Sequence, residues 1–255
     1  MCQILQVCEA TYASLRVIPL PSVAQRENEL HVVKLVRGEN RFINKGGIAG
    51  AGGAYLPDHR HTIIRMNQLL PTFKEDGRIA RLYNLDLVVH EITHQVQHDW
   101  LEILPTWMIE GMAVYVESVP YHNGTLVFEE MNFRAAKGIQ RCTQNRFQIV
   151  ELDTLMSMDR DTWNESFEKN PSSHNRYYTS AYLLTYYLLH LREPEATMRV
   201  DEYFTVMDRA NDQSERSAAT RELFANKSHT ELFQDMKVAY AKQGFHLETI
   251  EGYHF

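Results

Sequence analysis

Apolar side chains recur along this chain at two different periods. In the opening segment, "MCQILQVCEATYASLRV", Ile4, Leu5, Cys8, Tyr12 and Leu15 fall at three- and four-residue steps, the spacing of one face of a helix. Beyond Pro19 and Pro21 the runs shorten, and "ELHVVKLVRG" and "NRFIN" carry the β-branched and aromatic residues that predict strands. "KGGIAGAGGAY" then reads as a mobile or tightly turned segment, and "HTIIRMN" predicts a further strand of the same sheet, from Thr62 to Met66.

From about Gly77 the period is helical and stays largely so to the C-terminus. Leu82, Leu85, Val89, Ile92 and Val96 give a helix over roughly 78–98 with an apolar face. Pro105 sits at the first turn of a second helix, "PTWMIEGMAVYVES", which Pro120 and Asn123-Gly124 terminate. Further helices are expected at about 129–142, 174–192, 199–211 and 228–242, the last opened by a capping box of Ser228 and Glu231. The pattern therefore predicts an α+β fold: an N-terminal helix and a small mixed β-sheet followed by a mainly α-helical C-terminal lobe. All 255 residues are expected in one domain, with sub-lobes at about 1–100 and 101–255.

Composition narrows the function. No apolar run approaches the length of a spanning helix, so no membrane span is expected. A net charge of −7 and the absence of a concentrated basic face argue against a nucleic-acid partner. Cys2, Cys8 and Cys142 are too few and too scattered for a disulfide framework or a thiolate zinc site, so any metal would be held by nitrogen and oxygen. The glycine run lacks the lysine and hydroxyl of a phosphate loop, which sets nucleotide binding aside. The opening residues read as helix and not as a secretion signal. That leaves the compartment open, with the mature part of an exported precursor one possibility, and oligomeric state is open too.

The chemistry concentrates in "LDLVVHEITHQVQHDWLEILPTWMIEGMAVYVE". His90 and His94 are four apart, so on a helix their imidazoles stand one turn above the other and share a cation. Glu91 between them supplies a carboxylate able to take a proton from metal-activated water, completing H-E-x-x-H, the zinc metallopeptidase pattern. A catalytic zinc takes three protein ligands and keeps one position open. His98 continues the same face, but one straight helix cannot wrap three such residues around a tetrahedral centre. Glu102 falls in the connecting bend, where it is solvated. Glu110 lies in the second helix among Met108, Ile109 and Met112, and a carboxylate in apolar company needs a partner, which makes it the third ligand. Zn2+, one per chain, is the expected cofactor.

"VVHEITH" followed by "LPTWMIEGMAVYVE" resembles the gluzincin branch of zinc metallopeptidases, the thermolysin and aminopeptidase N superfamily, and especially its small peptidase MA-like domains. The resemblance implies a thermolysin-like zincin fold, His90, His94 and Glu110 as zinc ligands, and Glu91 as general base. It further implies that a tyrosine opening a later apolar helix supports the oxyanion. "RYYTSAYLLTYYLLH" is similar to that segment, with Tyr178 the best fit and Tyr177 next, while Tyr182, Tyr186 and Tyr187 are expected in the core. In this family the strand before the metal helix is a sheet edge that pairs with extended substrate, which points here to Thr62–Met66.

Two positions depart from the pattern. Thermolysin-like members carry an acidic residue four after the glutamate ligand, where this chain has Val114. Asp86 or Glu117 is then the carboxylate expected to orient a zinc histidine. The glycine run also lacks the acidic anchor that aminopeptidases use for a free α-amine; Asp58, Glu75 and Glu102 are the nearest substitutes. The expected activity is therefore zinc-dependent hydrolysis of a peptide or protein substrate, at internal bonds. The alternatives are a non-catalytic zinc-stabilised domain that binds a peptide or protein, and a hydrolase of a non-peptide amide or ester.

Overall fold

A computed structural model of the chain describes residues 2–15, 31–73, 76, 78–81, 83–131, 146–169, 171–192 and 200–250. The fold is α+β, with a small mixed sheet in the N-terminal part and helices predominating after it. Helix α1 (Cys2–Leu15) buries Val7, Cys8, Ala10, Thr11 and Leu15, but its face is rotated from the expected one, since Leu5 is exposed. Strand β1 (Val32–Val36) forms as expected. "NRFIN" does not form a strand. It lies in a short helix, α2 (Glu39–Ile43), entered through Gly38 at φ 79°, and it anchors itself by burying Phe42. The glycine run ends in a strand of its own, β2 (Gly53–Leu56), and a turn at Pro57–His59 leads into β3 (His61–Arg65).

The sheet order is β1-β3-β2, with β1 parallel and β2 antiparallel to β3. This corrects the expectation for Thr62–Met66: β3 is the central strand, paired on both sides, and Met66 already opens the short helix α3 (Met66–Leu69). Among the described residues the edge nearest the metal helix is β2, which pairs with β3 alone. Side-chain alternation sorts the two faces. Ile63 joins Val36, Phe42 and Ala51 in a small outer cluster, while Ile64 belongs to the main core.

The expected helix over 78–98 is shorter at its start. Ile79–Arg81 is strand β5, paired with β4 (Thr72–Phe73), and Leu82 lies outside the described residues. Helix α4 (Leu85–Val96) begins where the Asn84 side chain accepts the Leu87 N–H, and it buries Val88, Val89, Ile92 and Val96. Helix α5 (Thr106–Glu117) follows with Pro105 as its N-cap. Asn123 and Gly124 then turn the hairpin of β6 (Tyr121–His122) and β7 (Thr125–Leu126), both with positive φ as a type I′ turn requires.

The C-terminal part contains strands that the helical period hid. β8 (Arg146–Val150) pairs in parallel with β9 (His246–Ile250), a hundred residues later in the chain. The expected helix at 129–142 appears only as a 3-10 turn, Phe128–Glu130, its remainder from 132 on lying outside the described residues. Helices α6 (Leu152–Ser157) and α7 (Arg160–Lys169) precede α8 (Pro171–Tyr186), which continues as a π-helical turn to Leu191. Then come α9 (Val200–Arg209), α10 (Gln213–Leu223) and α11 (His229–Lys242), the last with the expected capping box of Ser228 and Glu231. Among the described residues no helix is long and apolar enough to cross a membrane.

Helices α4, α5 and α8 build the core around the site. A methyl group on Gly111 would lie 2.5 Å from the Ala181 carbonyl oxygen, so only glycine lets α5 and α8 cross this closely. Tyr182, Tyr186 and Tyr187 are buried in this core, as expected of a tyrosine-rich helix.

Candidate metal centre

The two-helix spacing brings the expected ligands together. His90 and His94 project from one face of α4, with Nε2 atoms 3.0 Å apart, and α5 carries Glu110 across to them. Glu110 Oε2 lies 3.5 Å from His90 Nε2 and 3.4 Å from His94 Nε2. A tetrahedral zinc site with bonds of about 2.0–2.2 Å has ligand-to-ligand edges of about 3.3–3.6 Å. Three atoms on three residues thus already stand near the spacing of one face of such a tetrahedron. Among the described residues this is the one group of at least three His, Cys, Asp or Glu side chains with ligand atoms within 4.8 Å. Glu110 Oε2 is buried and makes no hydrogen bond, a costly arrangement that a cation would relieve. The donor set of two imidazoles and a carboxylate suits Zn2+.

The surrounding shell is acidic. Glu117, two turns beyond Glu110, accepts a hydrogen bond from His90 Nδ1 at 2.8 Å, which fixes that ring with Nε2 toward the site. Of the two expected orienting carboxylates, Glu117 fills the role, while Asp86 contributes negative charge beside it. His94 Nδ1 is buried and has no hydrogen-bond partner among the described residues. His98 is not part of the group: it is joined to Tyr55 of β2 by a 2.8 Å hydrogen bond. Glu102 is exposed in the bend, as expected.

Electrostatics follow from this crowding. Burial opposes charge on the His90 ring, but Glu110 and Glu117 outweigh it and hold the imidazole pKa well above its ordinary value. Burial would raise Glu110; the His94 and His90 rings prevail and hold it well below the usual carboxylate range. Glu91 goes the other way, because its burial is only partly offset by the two histidines, and its pKa is raised. A base with a raised pKa is better matched to taking a proton near neutrality.

Tyr178 stands beside the group. Its ring meets the His90 ring edge-on, centroids 5.6 Å apart, and it meets Trp163 of α7 the same way at 5.5 Å. Burial, then the Glu110 and Glu91 carboxylates, push its phenol pKa well up, so it remains a hydrogen-bond donor. Tyr177, the other tyrosine considered, is 1% exposed and packs in the core against Trp163. Sequence reasoning missed Trp163, which lies in a helix too polar to attract notice, and Gly53, whose place in a glycine run gave no sign of what it touches.

No family model matches the chain, and no curated protein or solved structure matches it either.

Proposed function

We propose that the protein is a zinc-dependent metallopeptidase of the gluzincin type with a thermolysin-like catalytic fold. The observation that carries this reading is the triangle of His90 Nε2, His94 Nε2 and Glu110 Oε2, with the Glu91 carboxylate beside it. Zinc bound there would supply a Lewis acid that polarises the scissile carbonyl and acidifies water. Glu91 takes the proton of the attacking water and passes it to the leaving amine. Tyr178 donates a hydrogen bond to the oxyanion, a contribution of about 3 kcal/mol where such a donor is preorganised. Glu117 keeps the His90 ring in its ligating orientation.

Substrate binds as an extended strand along β2, whose outer edge, unpaired among the described residues, offers backbone N–H and C=O groups to any sequence. This assigns to β2 the role that the resemblance had placed on Thr62–Met66. No acidic side chain occurs in the glycine run, Asp58 is exposed on the turn after β2, and Glu102 is exposed in the α4–α5 bend. A buried anchor for a free α-amine is thus missing at these positions, which supports cleavage at internal bonds; Glu75 lies outside the described residues.

The test is metal analysis together with digestion of a peptide library by native and chelated protein. Stoichiometric zinc, cleavage lost on chelation and cleavage restored by zinc are expected. A protein that binds zinc but cleaves nothing overturns the enzymatic reading. Comparison of one peptide with free and acetylated N-termini tests the internal-cleavage reading, which strict dependence on the free amine would defeat.

A further inference from the structure

Glycines 52 and 53 lie where the chain enters β2 over α4; a side chain would be tight at Gly52 and would collide at Gly53. A methyl group on Gly52 would lie 3.1 Å from a Leu87 methyl carbon. On Gly53 it would lie 2.7 Å from Glu91 Cγ, 2.8 Å from Oε1 and 2.9 Å from Cδ. The Gly53 conformation itself does not demand glycine, because its φ is not among the positive values of the chain. What demands it is the Glu91 side chain. Two residues on, Tyr55 points to the same face and its hydroxyl is 2.8 Å from His98 Nδ1, which ties β2 to the 3-10 turn His98–Trp100 that follows α4. On the near side, Arg65 donates to the Ala51 carbonyl and to Glu39, and its N–H donates to the Gly52 carbonyl. Glu39 also accepts the Gly50 N–H. The strand is pinned before and after Gly53, so it cannot retreat to make room.

We propose that Gly53 is a positioning residue for the base: the Glu91 carboxylate sits in the gap left by the missing side chain of the edge strand. That contact sets one spacing between base, metal ligands and the strand that holds substrate. This rests on the metallopeptidase reading, in which Glu91 is the base, although the contact itself does not. A side chain at position 53 meets a flexible glutamate from Cγ outward and no backbone atom among the nearest contacts, so the fold survives and the carboxylate moves. A displacement near 1 Å at a reacting group costs roughly 100-fold in rate.

Two double-mutant cycles test the proposal. In the metal-free protein, Gly53→Ala should lower Tm while Glu91 is present. In a Glu91→Ala background it should instead raise Tm by about 2 °C, the ordinary gain from replacing a glycine of permissive conformation. In the zinc-loaded protein, Gly53→Ala should keep stoichiometric zinc and its KM but lose roughly 100-fold in kcat. In a Glu91→Gln background, where no base remains, it should cost less than about 3-fold, since little is left for it to disturb. An unchanged kcat, or an equal loss in the Glu91→Gln background, overturns the proposal, as does a Tm change of the same sign in both stability backgrounds. A wild type that cleaves no peptide sinks the metallopeptidase reading instead, and the stability cycle still decides whether Glu91 occupies the gap.

Discussion

His90 Nδ1 and Glu117 Oε2 stand 2.8 Å apart across the α4–α5 contact, with the carboxylate on the same helix as Glu110. One helix therefore carries both the proposed third ligand and the group that orients the His90 ring. Glu117→Ala should weaken zinc binding by about 10–100-fold, the usual cost of losing such an outer carboxylate, while Glu117→Gln, which keeps an acceptor oxygen, should lose less. Competition with a fluorescent zinc chelator measures both. Equal affinities in wild type and Glu117→Ala would remove Glu117 from the centre.

Ligand identity separates just as cleanly. Glu110→Ala should abolish stoichiometric zinc, because it leaves two ligands where a catalytic site needs three. His98→Ala should leave zinc in place, since that ring is engaged with Tyr55. Elemental analysis after dialysis reads the outcome, and loss of metal in His98→Ala alone would require a different ligand set.

Glu91→Gln is expected to keep zinc and fold yet lose at least about 100-fold in kcat, because an amide of the same shape accepts no proton. Near-normal turnover in this variant excludes the general-base role.

The parts legible in the sequence are those whose causes are local. The spacing of His90 and His94 fixes a shared helix face, and apolar neighbours mark Glu110 as a group in need of a partner. The Ser228–Glu231 capping box is likewise complete within four residues. Long-range causes were hidden. β8 and β9 stabilise each other across a hundred residues, and each is a run of only five residues flanked by helical pattern. Which strand is the sheet edge depends on pairing order, which the residues of β3 do not disclose, and among the described residues β3 is central and β2 lies at an edge. "NRFIN" has strand-like composition, but burial of Phe42 against Val36 and Ile63 is satisfied by a short helix. Gly53 carried no signal at all, because what makes it necessary is a side chain on another element.

Gly111 illustrates the same dependence with a measurable cost. Gly111→Ala should destabilise by about 1–3 kcal/mol in chemical denaturation, since its methyl meets the Ala181 carbonyl, part of a backbone that cannot rotate away. The helix it pushes is α8, which carries Tyr178. Unchanged stability would mean that the two helices separate freely.

Tyr178 gives the prediction that bears most directly on chemistry. Its ring is held between His90 and Trp163, beside the metal ligands, whereas Tyr177 is enclosed in the core. A donor to the oxyanion acts mainly in the transition state, so Tyr178→Phe should lower kcat by about 100–1,000-fold with little change in KM. Tyr177→Phe should leave kcat within a few-fold of wild type. Burial and the nearby carboxylates raise the Tyr178 pKa well above the ordinary tyrosine value, so the folded protein keeps the phenol protonated as pH rises through that range. The Tyr178→Phe deficit should therefore be the same factor at about pH 7 and about pH 9, with the basic side of the profile unmoved. A deficit that shrinks as pH rises would mean that the hydroxyl ionises and acts as an acid or base, and a deficit confined to KM would make Tyr178 a substrate contact.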